Sequence, residues 1–425
     1  MNRLLSLTLL LMVPFNFVSA SSLTISGISS GGFMASQMAT IYSDQFAGVA
    51  TVAGGVYYCA ENEFQKNIKN FGVASYLSYG VDTRTVTKTF DVKSLLKSKQ
   101  LPVDTSQFVG PLAINPIYQS VGVCMGHPEG AHQAANLFNG VNLPMDLNFM
   151  TEFESKGLIA PIVNISKQRV LVYQGEDDQV VHLPMADKLK EFYTRMGVLP
   201  EALKVVTKPG NHNFPTDKED GIDCGKTGVP YIASCKLDLA GEILTQVLNR
   251  PLKRGTMKAE NLHQVEQKSA PPSIASYGYL YATPACIENP ATCDLHVALH
   301  GCQMSDDFDE DFQKYYQRKV LFTRSLGVFS YELLSKEKKM GALAFASRAG
   351  YAEYAEVDAN RLMIYFPQTR IGTDNYPANP NGCWDWYGWT GSEYATNKGA
   401  ESSWLIKQIQ KVKANPKMML SQPKK

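Results

Sequence analysis

The stretch 23–32 constrains this chain more than any other. It reads Leu-Thr-Ile-Ser-Gly-Ile-Ser-Ser-Gly-Gly, a short β-branched run that passes directly into residues 33–39, whose character is helical. Within it, Gly27, Ser29 and Gly31 complete a Gly-x-Ser-x-Gly pattern. A strand that turns into a helix through this pattern sets its central serine on a sharp, strained bend with the hydroxyl exposed. The glycines have a steric reason, because strand and helix approach too closely there for a Cβ and the bend can require a positive φ. The feature demands a sheet with helices packed on it. It also makes Ser29 a candidate nucleophile.

The 425 residues, 44% hydrophobic and 10% aromatic, suffice for a substantial globular core. With 41 basic residues against 40 acidic ones, nothing in the charge balance favours a phosphate backbone or an anionic membrane surface. Nucleic acid and membrane are therefore not expected as partners. Residues 1–20 read as a secretory signal peptide: Arg3 supplies the positive start, 4–18 are mostly apolar, and Val18-Ser19-Ala20 is a small-residue cleavage site. The apolar run is shorter than the roughly 20 residues of a bilayer span. A soluble, exported protein, either extracellular or periplasmic, is expected.

Export suits the eight cysteines, Cys59, Cys124, Cys224, Cys235, Cys286, Cys293, Cys302 and Cys383, an even number that implies disulfides. Spacing favours Cys224 with Cys235 and Cys286 with Cys293, leaving Cys59 with Cys124 and Cys302 with Cys383, among the 105 connectivities that eight cysteines allow. No Cys-x-x-Cys occurs, and the one His-x3-His, His296 and His300, falls on a probable strand that would hold the rings roughly 13 Å apart. No metal and no cofactor are expected.

Along the chain, residues 47–53 read as a buried parallel strand and 169–174 as another, running into Gly175-Glu176-Asp177-Asp178. Helix 183–195 and strand 203–207 follow, then Pro209-Gly210-Asn211-His212. An acid just past a strand and a histidine on the loop after the next one complete the order Ser29, Asp178, His212. That is the nucleophile, acid, base order of the α/β-hydrolases. Asp177 is the alternative acid. His127 and His132, in the mixed-polarity stretch around a helical patch at 130–138, have no matched partners and read as surface or structural residues.

Residues 238–248 are expected as a helix capped by Asp238, and 250–275 as a polar connector. Beyond it, strand 294–300 ends in His300-Gly301-Cys302, the pattern of the loop that supplies the other half of an oxyanion hole. In an ordinary α/β-hydrolase that loop precedes the nucleophile; here it follows by about 270 residues. Only eight residues separate the expected cleavage site from Ser29, so the missing strands must come from the C-terminal side. The expectation is one circularly permuted α/β-hydrolase domain over 21–413, with insertions at about 60–123 and 321–360, a strand at 361–367, a closing helix at 402–412 and a flexible tail at 414–425. The run Asn379 to Trp389 holds three of the four tryptophans. A loop of this composition is a poor place to bury all three, so at least one is expected to line a groove.

Taken together, the segments GISSGGFMASQ, AGGVYYCA, GEDDQVV, HNFPTD, LHVALHGC and NPNGCWDWYGW resemble the secreted polyhydroxybutyrate (PHB) depolymerases of the single-domain fungal kind and their bacterial relatives. The resemblance spans both halves and implies the permuted fold. It also implies Ser29 as nucleophile, Asp178 as acid, His212 as base, the Ser30 and Cys302 amides as oxyanion donors, and Asn381 and Trp386 in the substrate crevice. The two insertions are longer than the family pattern requires, and either one covering the crevice would restrict access of a polymer. The chain is expected to be a monomeric serine esterase acting on poly(3-hydroxybutyrate) or related 3-hydroxyalkanoate esters. The alternatives are an esterase for small or aryl esters and a non-catalytic polymer-binding protein. As a base His212 must be neutral, so activity is expected to fall as acid protonates it.

Overall fold

A computed structural model describes residues 21–60, 124–126, 141, 143–305, 342–371, 379 and 381–420. The expected signal peptide, His127, His132, the helical patch at 130–138 and nearly all of the 60–123 insertion lie outside the described residues.

The strand that leads into the elbow, β1 (Leu23–Ile28), is buried along its whole length at the centre of an eight-stranded sheet. Its neighbours are β2 (Gly48–Val52), with Thr24 opposite Gly48, and β10 (Asp294–Leu299), with Leu23 opposite Leu295 through Gly27 opposite Leu299. Outward from β2 lie β3 (Arg169–Gly175) and β4 (Leu203–Lys208); outward from β10 lie β11 (Leu362–Phe366), β9 (Tyr277–Tyr281) and β8 (Leu262–Glu266). The six strands from β4 to β11 are parallel, and β9 pairs antiparallel on both its sides. The inner strands have the near-continuous apolar sequences of strands covered on both faces, such as Val-Leu-Val-Tyr and Leu-Met-Ile-Tyr-Phe.

Alternation along those strands divides the interior in two. Val49, Val170, Val172, Val297, Met363 and Tyr365 face one core, which is closed by helices α1 (Ser30–Ile41), α2 (Leu143–Ser155), α3 (Pro184–Arg195) and α7 (Ala400–Ala414). Their sequence neighbours Ala50, Leu171, Tyr173, Ala298 and Ile364 face the other, closed by α4 (Leu239–Leu248), α5 (Ala342–Arg348) and α6 (Tyr351–Ala355). A fully buried Leu, Ile or Phe side chain in such a layer stabilises the fold by roughly 1.5–3 kcal/mol. A small sheet of β5 (Phe214–Thr216), β6 (Ile222–Asp223) and β7 (Ile232–Ser234) sits beside the main one.

The strand order is that of a permuted α/β-hydrolase. The N-terminal half supplies β1–β4 and the C-terminal half β8–β11, and the two meet where β1 pairs with β10. The structure joins Cys59 to Cys124, Cys224 to Cys235, Cys286 to Cys293 and Cys302 to Cys383, the pairs favoured by spacing.

Asp238 caps α4 as expected, accepting the Gly241 amide at 3.0 Å. Three expectations need correction. The polar connector at 250–275 contains β8, an edge strand with only Val265 fully buried, so its sequence lacks an apolar run. The segment 321–360 is not an insertion from 342 onward, since Phe345, Ala349, Tyr351 and Tyr354 form part of the second core. Nor is the tail loose from 414. Asn415 caps a short helix (Pro416–Met419), accepting the Met418 amide at 3.3 Å, and Leu420 bridges antiparallel to Val265.

Candidate active site

Three chain segments far apart in sequence meet at the carboxyl end of β1. At the elbow, Ser29 has φ 55° and ψ −124°, and its amide donates to the Val52 carbonyl at 2.9 Å. Few non-glycine residues adopt such a backbone, and the surrounding packing must hold it. A Cβ at Gly31 would lie 2.4 Å from the His300 carbonyl oxygen, and one at Gly27 2.2 Å from that of Gly31. The glycines are thus required by backbone contact on both sides of the serine.

His212 lies on the loop after β4. Its amide donates to Asn211 Oδ1 at 2.8 Å and to Thr227 Oγ1 at 3.1 Å. Its Nε2 stands 2.9 Å from Ser29 Oγ and its Nδ1 2.9 Å from Asp178 Oδ2. Asp178, just past β3, is held in turn: Oδ1 accepts the amides of Val180 (2.8 Å) and Val181 (2.9 Å), and Oδ2 accepts Gln174 Nε2 at 3.0 Å. Both side chains are almost wholly buried. A carboxylate at Nδ1 favours the tautomer with its proton there, leaving Nε2 to accept from the serine hydroxyl. Asp177 is exposed, and its amide donates to the Gly210 carbonyl at 3.0 Å. It is Asp178, not Asp177, that reaches the histidine.

Ser30 opens α1, where the first amides of a helix have no intrahelical acceptor and the helix dipole favours negative charge. The loop after β10 packs against the elbow so closely that a Cβ at Gly301 would lie 3.1 Å from Ser29 Cβ. The Gly301 amide donates to Met304 Sδ at 3.2 Å, whereas no acceptor for the Cys302 amide is found among the described residues. The Cys302–Cys383 disulfide ties this loop to the Asn381-Gly382-Cys383 turn. The start of α1 and the loop after β10 therefore lie on either side of Ser29.

No family model matches the chain. A poly(3-hydroxybutyrate) depolymerase of Delftia acidovorans is 26% identical over 408 residues, 94% of this chain, which spans only 61% of that protein's length. A polyhydroxybutyrate depolymerase of Talaromyces funiculosus is 25% identical over 415 residues, covering 94% of this chain and 92% of that one. The resemblance to the PHB depolymerases holds. Two solved structures, a PHB depolymerase complexed with R3HB trimer and the PHB depolymerase from Penicillium funiculosum, match with TM-scores of 0.64 and 0.63 at 23% identity. Each match covers 93% of this chain and 96% of the other. The depolymerase fold is thus shared over nearly the whole length.

The two crevice residues that the depolymerase resemblance implies are placed differently from one another. Trp386 stacks on Phe33 of α1 with centroids 4.2 Å apart. Asn381 accepts the Gln303 amide through its carbonyl (2.7 Å) and Gln303 Nε2 through Oδ1 (3.3 Å). Trp384, Trp386 and Trp389 are all buried, against the expectation that one would line a groove. The loop manages this through Asp385, which accepts the amides of Gly388 (2.7 Å), Trp389 (3.1 Å) and Thr390 (3.0 Å) and so satisfies its turns internally.

His296 and His300 have no common task. His296 bonds Thr24 Oγ1 and Ser26 Oγ, each at 2.8 Å, and burial pushes its pKa down to about 3. His300 donates through Nδ1 to the Gly301 carbonyl at 2.7 Å and shapes the loop. Among the described residues no group of three or more His, Cys, Asp or Glu is arranged to hold a metal. Sequence reasoning missed Gln174, which orients Asp178, and Gln303. The only signal for Gln303 was its place directly after His300-Gly301-Cys302.

Proposed function

We propose that this protein is an exported serine esterase that hydrolyses poly(3-hydroxybutyrate) or related 3-hydroxyalkanoate esters. The observation that carries the reading is the contact of Ser29 Oγ with His212 Nε2 at 2.9 Å, backed by Asp178, at a strained elbow. Its substrate class is supported by the names of the relatives and by the R3HB trimer in one of the solved depolymerase structures of like fold. The catalytic unit is a single permuted domain from 21 to about 420. Four disulfides fit an oxidising compartment.

In this reading Ser29 attacks the ester carbonyl as His212 Nε2 takes its proton, and Asp178 holds the tautomer and stabilises the imidazolium. The Ser30 and Cys302 amides stabilise the tetrahedral oxyanion, each by roughly 3 kcal/mol. His212 then protonates the departing alkoxide. Water, deprotonated by the same nitrogen, releases the 3-hydroxyacid from the acyl-enzyme. Asn381 belongs to the substrate crevice, and the buried Trp386 is left to the core behind α1.

The test is acid release from PHB granules and from a soluble butyrate ester by the mature protein and by Ser29→Ala. Both activities are expected, and both should fall at least about 10³-fold in the variant. Turnover of the soluble ester alone would move the assignment to small or aryl esters. Granule binding with no turnover of either substrate would indicate a polymer-binding protein instead.

A further inference from the structure

We propose that Gln303 is a positioning residue for the proposed esterase reaction, locking the oxyanion loop to the histidine loop. Resting on the esterase reading above, it goes further by naming what holds the Cys302 amide in place. Gln303 follows Cys302 directly, is buried, and has φ 63°, so its backbone must be fixed by contacts rather than by intrinsic preference. Those contacts are its own. Its amide donates to the Asn381 carbonyl at 2.7 Å, and its Nε2 donates to Asn381 Oδ1 at 3.3 Å. Its Oε1 accepts the Tyr231 hydroxyl at 2.5 Å.

Each partner leads to a different part of the site. Asn381 is two residues from Cys383, which is disulfide-bonded to Cys302. Tyr231 presents its ring edge-on to the His212 imidazole, centroids 6.4 Å apart, and its carbonyl accepts the amide of Phe214, two residues past His212, at 2.7 Å. The side-chain amide of Gln303 thus bridges the Tyr231 segment before β7, which packs against the base and bonds the strand after it, and the turn tied to the second oxyanion donor. Only a group that donates and accepts at once can do this: a carboxylate at this position would lose the donor, and a thioether both bonds. A network of this kind sets geometry to tenths of an ångström, which is the tolerance that oxyanion stabilisation requires.

The experiment compares Gln303→Met, Tyr231→Phe and the double variant with the wild type on a soluble butyrate ester, with thermal unfolding and a free-thiol count as controls. Each protein is also titrated with a boronic acid, which mimics the tetrahedral intermediate. Gln303→Met is expected to lower kcat by about 10- to 100-fold, part of the 10²–10³ that a whole oxyanion donor contributes. KM should stay within about threefold, and boronate affinity should fall in parallel with kcat. Tyr231→Phe, which removes one oxygen, should lose less, and the double variant should be no slower than Gln303→Met because the effect of Tyr231→Phe runs through the bond to Gln303 that Gln303→Met already removes.

Folded Gln303→Met with kcat and boronate affinity within twofold of wild type would overturn the assignment. So would losses that simply add in the double variant. If Gln303→Met does not fold, Tyr231→Phe decides alone, with unchanged kcat as the overturning result. A wild type that neither turns over the ester nor reacts with a fluorophosphonate at Ser29 would overturn the esterase reading, and this assignment with it.

Discussion

At the scale of single residues, the site depends on atoms that are absent. The Cβ missing at Gly31 would meet carbonyl oxygens of His300 and Leu299 at 2.4 and 2.6 Å, both backbone atoms where β10 passes into the loop after it. No side-chain rotation relieves such a contact, so either α1 or β10 must move. Gly31→Ala is therefore expected to cost about 3 kcal/mol or more, beyond ordinary overpacking. The loss should be read as a fall in unfolding midpoint, with the residual folded fraction impaired in turnover. A midpoint within about 1 kcal/mol of wild type would show that the elbow is looser than its distances imply. Such positions are legible in sequence because their cause is local: Gly27, Ser29 and Gly31 fall within five residues. Gln303 was not legible. Its side-chain partners Tyr231 and Asn381 are 72 and 78 residues away, and no pattern of spacing connects them.

At the scale of elements, the junction between the tryptophan loop and α7 holds a pair of buried carboxyl groups. Burial pushes the Asp385 carboxyl up to about 6, against the three amides and the Thr390 hydroxyl that it accepts, which favour its charged form; Glu401 accepts the Asp385 amide at 2.8 Å with one oxygen. Burial, and then the neighbouring Asp385, push the Glu401 carboxyl well above the ordinary glutamate range. At neutral pH Asp385 is the ionised partner and Glu401 the protonated one. The folded state thus retains a proton that the unfolded chain releases near pH ~4.3. Stability contributed by that proton is full below the unfolded pKa and is lost as pH rises from there toward the raised folded value.

Glu401→Gln keeps an acceptor for the Asp385 amide and removes the titration. It should match wild type near pH ~4, at the unfolded pKa, and exceed it by on the order of 1–3 kcal/mol in mildly alkaline buffer. Urea unfolding at the two pH values measures this, and parallel pH profiles would refute it. Sequence pattern reached α1, β3 and β10 because their apolar runs or helical spacing are plain. It missed β8, whose edge position leaves it mostly polar, and placed α5 and α6 in an insertion because short alanine-rich helices carrying Arg and Glu, after a Lys-rich stretch of sequence, look solvated.

At the scale of the whole molecule, the permuted order is a statement about connections, not about packing. All four disulfides close within one half of the chain: two lie between Cys59 and Cys235, and two between Cys286 and Cys383. The halves are joined covalently by the segment between α4 and β8, and otherwise by β1 against β10 and the shared cores. The other possible joint is already close, since Lys413 Nζ donates to the Ser21 carbonyl at 2.6 Å. From β1 to β8 is four strand spacings, ~19 Å, and a linker of about twelve residues from Leu420 to Ser22 reaches ~40 Å.

A variant so linked, and opened between Thr256 and Met257, would restore the usual α/β-hydrolase order while leaving Arg254 in its ion pairs with Asp217 and Glu353. Thr256 is exposed and lies outside any strand or helix, as tolerated new termini usually do. No disulfide loop changes length. The variant should form all four bridges, unfold within about 10 °C of the parent, and hydrolyse the soluble ester at a comparable rate. Failure to fold despite correct bridges would mean that the covalent link at 249–261 contributes more to docking the halves than β1 and β10 do.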